Sequence, residues 1–181
     1  MIYEPLVHEG YEWINAIDPS DYETFSSFDG SPRAMSWKPV KVRRVRADKR
    51  QAFIPSDFPW LGSDTLIMRR RAVEALRSLL EAHGEVLPLA TEDGVELFVL
   101  NVTTILDALD EELSSIVRFP GTQRIMRIKK VALHPTRLRG VDIFRLPHRV
   151  SPTYVSRGFV DAVNEAGLVG LDFNQVWSES S

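Results

Sequence analysis

Four carboxylates lie close together in one short segment, and their spacing could support chemistry: Asp107, Asp110, Glu111 and Glu112. Apolar residues at helical spacing predict a short amphipathic helix over residues 103–114, capped by Thr103 or Thr104. Such a helix would place Asp107, Asp110 and Glu111 on neighbouring turns, where paired carboxylates can transfer protons. A solvated acidic face at the end of the helix is the stronger interpretation. Because acids are unfavourable at a helix C-terminus, a contact with a partner is a further alternative.

The four histidines, in contrast, show no spacing typical of a metal site. They are His8, His83, His134 and His148, and they form no HxH, HxxxH or HExxH pattern. The chain has no cysteine, which excludes disulfides, cysteine nucleophiles and thiolate metal ligands. It also lacks the GxSxG pattern of serine hydrolases, and GSDTL at residues 62–66 lacks the frame of a phosphate-binding loop. The sequence therefore predicts no catalytic, cofactor-binding or metal-binding residues.

The length and composition indicate one globular core, alone or with an appended lobe. The 181 residues are 44% hydrophobic, and their formal net charge of −3 does not specify an acidic or a basic partner. No apolar run approaches the roughly 20 residues that span a bilayer. Glu4 and Glu9 stand where a signal peptide would be basic and then apolar. We therefore expect a cytoplasmic protein without membrane contact.

Charge is segregated along the chain into blocks of one sign. Residues 33–50 hold eight bases and one acid, residues 118–139 hold seven bases and no acid, and residues 92–112 hold seven acids and no base. Pairing of the blocks within the fold is the favoured explanation, and surfaces of opposite sign are the alternative. The basic segment 38–50, which follows Trp37, could bind nucleic acid through phosphate contacts and stacking. The acidic balance of the whole chain argues against that function and favours a solvated edge strand.

The clearest helix lies over residues 70–83, where apolar residues recur at helical spacing. Gly84 follows it at the position where a left-handed glycine ends many helices. The arginines at residues 69–71 oppose the helix dipole, so a short strand before the helix is the favoured explanation for them. Asp93-Gly94, between two apolar runs, predicts a hairpin over residues 86–102.

Strand patterns occur on both sides of that hairpin. Alternation at residues 40–43 predicts a half-buried strand that Pro39 places at an edge or makes start late. Residues 124–135 predict a strand with a bulge at Lys129-Lys130. Residues 53–64 contain prolines and aromatic residues, which predicts an irregular lid over the core.

The C-terminal region carries the best-formed helix signals. Ser156 is a good N-cap, and Val155 and Val160 occupy the positions of a hydrophobic staple. Gly167 ends the predicted helix, and a strand follows over residues 168–176.

Several phrases of the sequence, taken in order, resemble one known family. They are DFPWLGSD at residues 57–64, RAVEALRSLLEAHGEVLPL at 71–89, FVLNVTTILDALDEELS at 98–114, GVDIFRLP at 140–147 and VSRGFVDAVNEAGLVGLDFNQVW at 155–177. Over residues 35–177 the chain resembles the myxobacterial-type immunity protein family of bacterial polymorphic toxin systems. It departs from the family's pattern at LIMRRR, where a polar capping residue is more usual.

The resemblance implies a non-enzymatic protein that binds and neutralises a cognate toxin, without a cofactor. An immunity gene normally follows its toxin gene, so the toxin is expected from the adjacent gene. Asp107, Asp110, Glu111 and Glu112 are our candidate partner-binding residues, because acids would mimic the substrate of a nuclease with a basic cleft. The alternative is a nucleic-acid-binding or regulatory module that uses the basic segments 38–50 and 118–139.

We expect an α+β fold with a mainly antiparallel sheet, on which helices over residues 71–83 and 156–166 pack. Residues 1–34 are expected to form an irregular N-terminal segment, strand and loop, packed on the core. Residues 35–181 would then form the immunity-like domain, and the two parts would unfold as one cooperative unit.

Overall fold

A computed structural model describes residues 1–48, 51–62, 65–148 and 151–179. Its strands are β1 (Ile2–Val7), β2 (Trp13–Ala16), β3 (Lys41–Val45), β4 (Ala47–Asp48), β5 (Gln51–Ala52), β6 (Ile67–Arg69), β7 (Gly84–Pro88), β8 (Ala90–Thr91), β9 (Leu97–Val102), β10 (Ser115–Arg118), β11 (Ile125–Lys130), β12 (Ile143–Phe144), β13 (Tyr154–Ser156) and β14 (Leu171–Trp177). Its helices are α1 (Asp21–Ser26), α2 (Arg70–Ala75), α3 (Arg77–His83) and α4 (Arg157–Glu165), with a 3₁₀ turn at Pro135–Arg137. This α+β architecture, in which nearly all strand pairs are antiparallel, confirms the predicted fold class.

The largest sheet has the order β12-β13-β1-β14, so the first strand of the chain lies between two C-terminal strands. Within residues 1–34, where a strand and a loop are expected, the structure has the strands β1 and β2 and the short helix α1. Pro5 obscures β1 in the sequence because proline is rare inside sheets. It is tolerated here because β1 pairs with β13 only at Ile2 and Tyr3, whereas at Pro5 it pairs with β14 alone.

The two faces of this sheet contact different apolar clusters. Tyr3 and Val155 pack with Leu76, Leu80 and the Phe159 ring beneath α2, α3 and α4. On the opposite face, buried residues of β1, β12 and β13 pack against the segment that precedes β10 and against the β10–β11 hairpin. A third cluster lies under β2-β3-β8 and β6-β9-β7.

The predicted helix 70–83 is interrupted at Leu76, whose φ of −105° and ψ of 11° separate α2 from α3. The apolar residues of this predicted helix nevertheless pack on the core: Ala72, Leu76 and Leu80 are buried, and Val73 and Leu79 are partly buried. The left-handed conformation expected at Gly84 is wrong, because its φ is −175° and it begins β7 directly. Glycine is required there for another reason: a Cβ atom would lie 2.5 Å from the Asn101 carbonyl oxygen.

The helix predicted over residues 103–114 is absent from the structure. The amides of Thr103 and Thr104 donate to the His83 carbonyl at 3.0 and 3.2 Å. Farther along, Leu106 N donates to the Arg145 carbonyl and Asp110 N to the Ala132 carbonyl, both at 2.9 Å. Because neighbouring segments satisfy these backbone groups, the chain forms no helix before the turn at residues 111–113.

The strand predictions on both sides of Asp93-Gly94 are confirmed. β7 and β9 pair as an antiparallel hairpin, and Gly94 adopts a φ of 74° in the turn. β3 starts late, as Pro39 allowed, but it lies between β2 and β8 rather than at an edge. Val40 and Val42 are buried while Lys41 and Arg43 are exposed, which confirms the alternation.

The lid prediction is confirmed for Phe58 and Leu61, which are buried in separate clusters. Ser63 and Asp64 of the lid lie outside the described residues, as do Lys49 and Arg50 of the first basic segment.

The signals at both ends of α4 are confirmed by hydrogen bonds. Ser156 Oγ accepts a hydrogen bond of 3.2 Å from the Phe159 amide, and Gly167 adopts a φ of 59° after the helix. The Leu168 amide then donates to the Val163 carbonyl at 3.1 Å, which turns the chain toward β14.

Replacing Ser156 with alanine removes the side-chain cap of α4, so Ser156→Ala should lower the free energy of unfolding by about 1 kcal/mol. Urea denaturation followed by circular dichroism measures the change. Ser20→Ala is the matched control, because Ser20 precedes α1 and makes no side-chain cap. Equal urea midpoints for the two variants would contradict the assigned role of Ser156.

Candidate functional site

The acidic loop, defined here as residues 107–112, combines structural and free carboxylates. Asp110 Oδ1 accepts hydrogen bonds from the amides of Glu112 and Leu113, at 3.1 and 3.0 Å. This side chain therefore stabilises the turn after it, as Asp does in many loops. Asp110 Oδ2 also lies 3.7 Å from His134 Nδ1.

The other three carboxylates of the acidic loop are exposed to solvent. Glu111 pairs with Arg118 at 2.5 Å. Asp107 and Glu112 make no side-chain hydrogen bond or ion pair with any residue that the structure describes. The structure thus brings the four predicted residues into one loop. Only two of them, Asp107 and Glu112, have carboxylates without a partner among the described residues.

Much of the remaining charge is paired inside the protein, as the favoured interpretation predicts. Arg43 of β3 contacts Glu92 at 2.8 Å, and the next residue, Arg44, contacts Asp93 at 2.5 Å. Each pair joins a basic block to an acidic block of the sequence. Because these two arginines already have carboxylate partners, the pairing argues against segment 38–50 as a phosphate-binding strand.

Sequence reasoning did not single out Glu12, the most buried carboxylate among the described residues. Its side chain is 2% exposed and accepts hydrogen bonds from Arg44, at 3.1 Å, and from Arg69. The Ser56 amide donates to the same carboxylate at 3.2 Å. Burial of a charge is costly unless ion pairs and hydrogen bonds satisfy it, and here both arginines do so.

The three consecutive arginines were the signal that could have pointed to such partners. Arg69 binds Glu12, Arg70 binds Glu96, and Arg71 Nη1 lies 2.8 Å from Asp57 Oδ2. These arginines lie at the start of α2, where positive charge opposes the helix dipole. Carboxylates from three separate segments compensate that charge.

The described histidines do not assemble into a metal site, and no group of three possible ligand side chains occurs among the described residues. His83 is buried, and its Nε2 accepts a hydrogen bond of 3.1 Å from the Asp142 amide. Burial lowers the pKa of the His83 imidazole, and the nearby Asp142 carboxylate opposes that effect. His8 instead contacts Asp172 on the surface, at 2.8 Å.

The second basic segment differs from the first because most of its charges have no carboxylate partner. Within residues 118–139, Arg118 pairs with Glu111. The other bases form no ion pair with a described residue: Arg124, Arg127, Lys129, Lys130, Arg137 and Arg139.

Neutralising the buried carboxylate should destabilise the fold, because Glu12→Gln leaves Arg69 and Arg44 with less compensation. We expect the free energy of unfolding to fall by about 3 kcal/mol. Glu92→Gln is the matched control, since Glu92 pairs with Arg43 on the exposed surface and should cost less than about 1 kcal/mol. Urea denaturation of both variants measures the difference, and equal losses would show that burial adds nothing to this network.

The buried His83 should make stability fall in mildly acidic solution. Its folded-state pKa lies below the unfolded value of about 6.5. Its contribution is therefore complete above about pH 6.5 and is lost as the pH falls through the lowered folded-state pKa. Between about pH 7.5 and about pH 5.5, the wild type should lose more stability than His83→Gln, whose side-chain oxygen can still accept from Asp142.

Urea midpoints at the two pH values give this comparison. His148→Gln serves as its control, because the His148 side chain makes no hydrogen bond or ion pair with a described residue. A wild type and a His83→Gln variant with the same pH dependence would refute the assigned role of His83.

Comparison with known proteins places the C-terminal half of the chain in a family. A family model described as "Immunity protein family (Imm11)" matches residues 89–178. The matched region contains the acidic loop, the β10–β11 hairpin, α4 and β14. The family-like phrase at residues 57–64 lies outside it, as does the phrase at residues 71–89 except for its last residue. A search of curated proteins finds no match for the chain. Over residues 89–178, this chain belongs to the Imm11 immunity protein family.

Proposed function

We propose that this protein is a non-enzymatic immunity protein that binds a cognate toxin in the cytoplasm and neutralises it. The match to the Imm11 family is the observation that carries this proposal. The expected source of the toxin is the adjacent gene. In this role the protein contributes a surface that recognises the toxin, and the toxin contributes the chemistry that must be blocked.

The acidic loop is the proposed contact for a basic region of the toxin. Two features support it: Asp107 and Glu112 are exposed without a partner among the described residues, and Asp110 fixes the turn that carries Glu112. A fixed loop loses little conformational entropy when it binds, which favours affinity. Charges at the rim of an interface accelerate association and select the partner.

The proposed recognition unit is the whole chain, folding cooperatively, rather than the matched half alone. The central position of β1 supports this, because β14 pairs with β1 and β13 also pairs with β1. Residues 1–34 and 35–181 thus share one sheet.

Co-expression with the product of the adjacent upstream gene tests the proposed function. We expect this protein to restore growth and to co-purify with that product in a stable complex. The Ser20→Ala variant, altered at an exposed serine, should protect equally well. If this protein neither restores growth nor forms a complex with that product, the proposal is refuted. The next assay would then be nucleic-acid binding.

Neutralising the two free carboxylates should weaken the complex while leaving the loop intact. For Asp107→Asn with Glu112→Gln, we expect roughly tenfold slower association at low salt and a smaller effect of added salt. Association and dissociation rates measured over a range of salt concentrations give this result. Replacing Asp110 and Glu111 as well would extend the test to all four candidates, but it would also disturb the turn and the pair with Arg118.

The matched control carries the same change of charge elsewhere, with Glu9→Gln and Glu165→Gln at two exposed positions. It should associate within about twofold of the wild type, because a charge outside the contact affects the association rate less than a charge within it. Equal effects of the two double variants would assign the electrostatic contribution to net charge and would exclude the acidic loop as the contact.

A further inference from the structure

The β10–β11 hairpin, residues 115–130, is here called the basic ribbon. It forms a two-stranded sheet that pairs with no third strand among the described residues. Ile116, Ile125 and Ile128 anchor it to the apolar cluster on one face of the main sheet. The basic ribbon is thus fixed to the core through one side, while most of the other side chains of its turn and of β11 remain exposed.

Two bulges shape the exposed strand of the basic ribbon. Ile116 lies opposite Ile128 and Ser115 opposite Lys130, so Lys129 is an extra residue, as the sequence predicted. Val117 lies opposite Arg127 and Arg118 opposite Ile125, which leaves Met126 as a second extra residue. Bulges bend a strand and redirect side chains, and they occur frequently next to functional sites. Both extra residues are exposed.

The basic ribbon concentrates positive charge that the fold does not use. Arg127, Lys129 and Lys130 are exposed and form no ion pair with a described residue. The arginines of β3 and of residues 69–71 differ in this respect, because acids of the same chain neutralise Arg43, Arg44 and all three of that group. The positive charge of the basic ribbon therefore remains available to an external acidic group.

Apolar side chains lie among these charges. Phe119 at the turn is 41% exposed, Met126 is 40% exposed, and Leu113 before β10 is 71% exposed. Methionine and aromatic residues are enriched in the centres of protein interfaces, where they pack against apolar surface. A phosphate backbone offers the aliphatic side chains of Leu113 and Met126 no comparable contact.

The acidic loop adjoins the basic ribbon through the pair between Glu111 and Arg118. The free carboxylate of Glu112 follows Glu111 directly in this loop. Its negative charge would repel a nucleic acid that lay along the basic ribbon, but it would suit a protein surface with charges of both signs. The combined pattern therefore favours a protein partner.

We propose that the basic ribbon is a second contact surface for the toxin, and that it fits an acidic protein surface with an apolar centre. The inference rests on the proposed toxin-binding function and adds to it the part of the interface that lies beyond the acidic loop. Opposite charges on adjacent surfaces restrict a partner to one orientation, because the reversed orientation places like charges together.

Charge reversal on the basic ribbon tests this inference, with the product of the adjacent upstream gene as the probe. Lys129→Glu with Lys130→Glu should slow association at least tenfold at low salt, and the difference should shrink as salt is added. Lys38→Glu with Lys41→Glu is the matched control: both lysines are exposed, and the change of net charge is identical. The control should associate within about twofold of the wild type.

A second variant examines the apolar component separately. Met126→Gln preserves the charge and should mainly accelerate dissociation, by roughly tenfold, because interface contacts act chiefly on the dissociation rate. Circular dichroism and urea denaturation confirm that each variant is folded before its rates are compared.

The outcomes separate this inference from the proposed function. If the basic-ribbon variants form the same complex as the wild type, with unchanged association and dissociation rates, the second contact surface is overturned. The proposed function is then unaffected. Absence of a wild-type complex overturns both. A gel shift of DNA or RNA by the protein alone, lost in Lys129→Glu with Lys130→Glu, would assign the basic ribbon to nucleic acid and overturn the protein partner.

Discussion

The buried carboxylate of Glu12 is the interaction on which the arrangement of the N-terminal and central segments depends. It joins Arg44 of β3, Arg69 at the end of β6 and the Ser56 amide of the lid. A charge with 2% exposure loses its hydration, so each of these donors must remain in place for the folded state to be stable. Arg69 leads directly into α2, and Arg44 also binds Asp93 in the β7–β9 hairpin. The Glu12 carboxylate thereby links, directly or through Arg44, four separate segments: β3, the lid, the end of β6 and the β7–β9 hairpin.

This internal use of charge explains why the blocks of the sequence are not equivalent. The acids at residues 92–96 form ion pairs with arginines of β3 and α2. These pairs fix the hairpin against the rest of the protein. The acids at residues 107 and 112 and the bases within residues 124–139 have no such carboxylate or arginine partners among the described residues. The unpaired bases within residues 124–139 all lie in the region that matches the immunity family.

Local signals predicted those elements whose hydrogen bonds are local. The N-cap at Ser156, the Asp93-Gly94 turn and the bulge at Lys129 depend on residues within a few positions of each other or on a hairpin partner. The segment 103–114 was predicted wrongly because its backbone hydrogen bonds go to residues 83, 132 and 145, which no local pattern reveals. The same limit applies to the candidate site, since the sequence groups four acids but not the contacts that separate Asp110 and Glu111 from Asp107 and Glu112. Glu12 was missed because its partners lie 32, 44 and 57 residues away.

The matched region is not a self-sufficient sheet, and this has a consequence for recognition. It contains β12, β13 and β14, but β14 is joined to β13 only through β1. The apolar cluster that anchors the basic ribbon likewise includes Ile2 of β1. A partner that contacts the acidic loop and the basic ribbon would therefore bind side chains of the matched half on a scaffold that the first seven residues complete. The same strand, β1, thus joins β14 to β13 and contributes Ile2 to the cluster that anchors the basic ribbon.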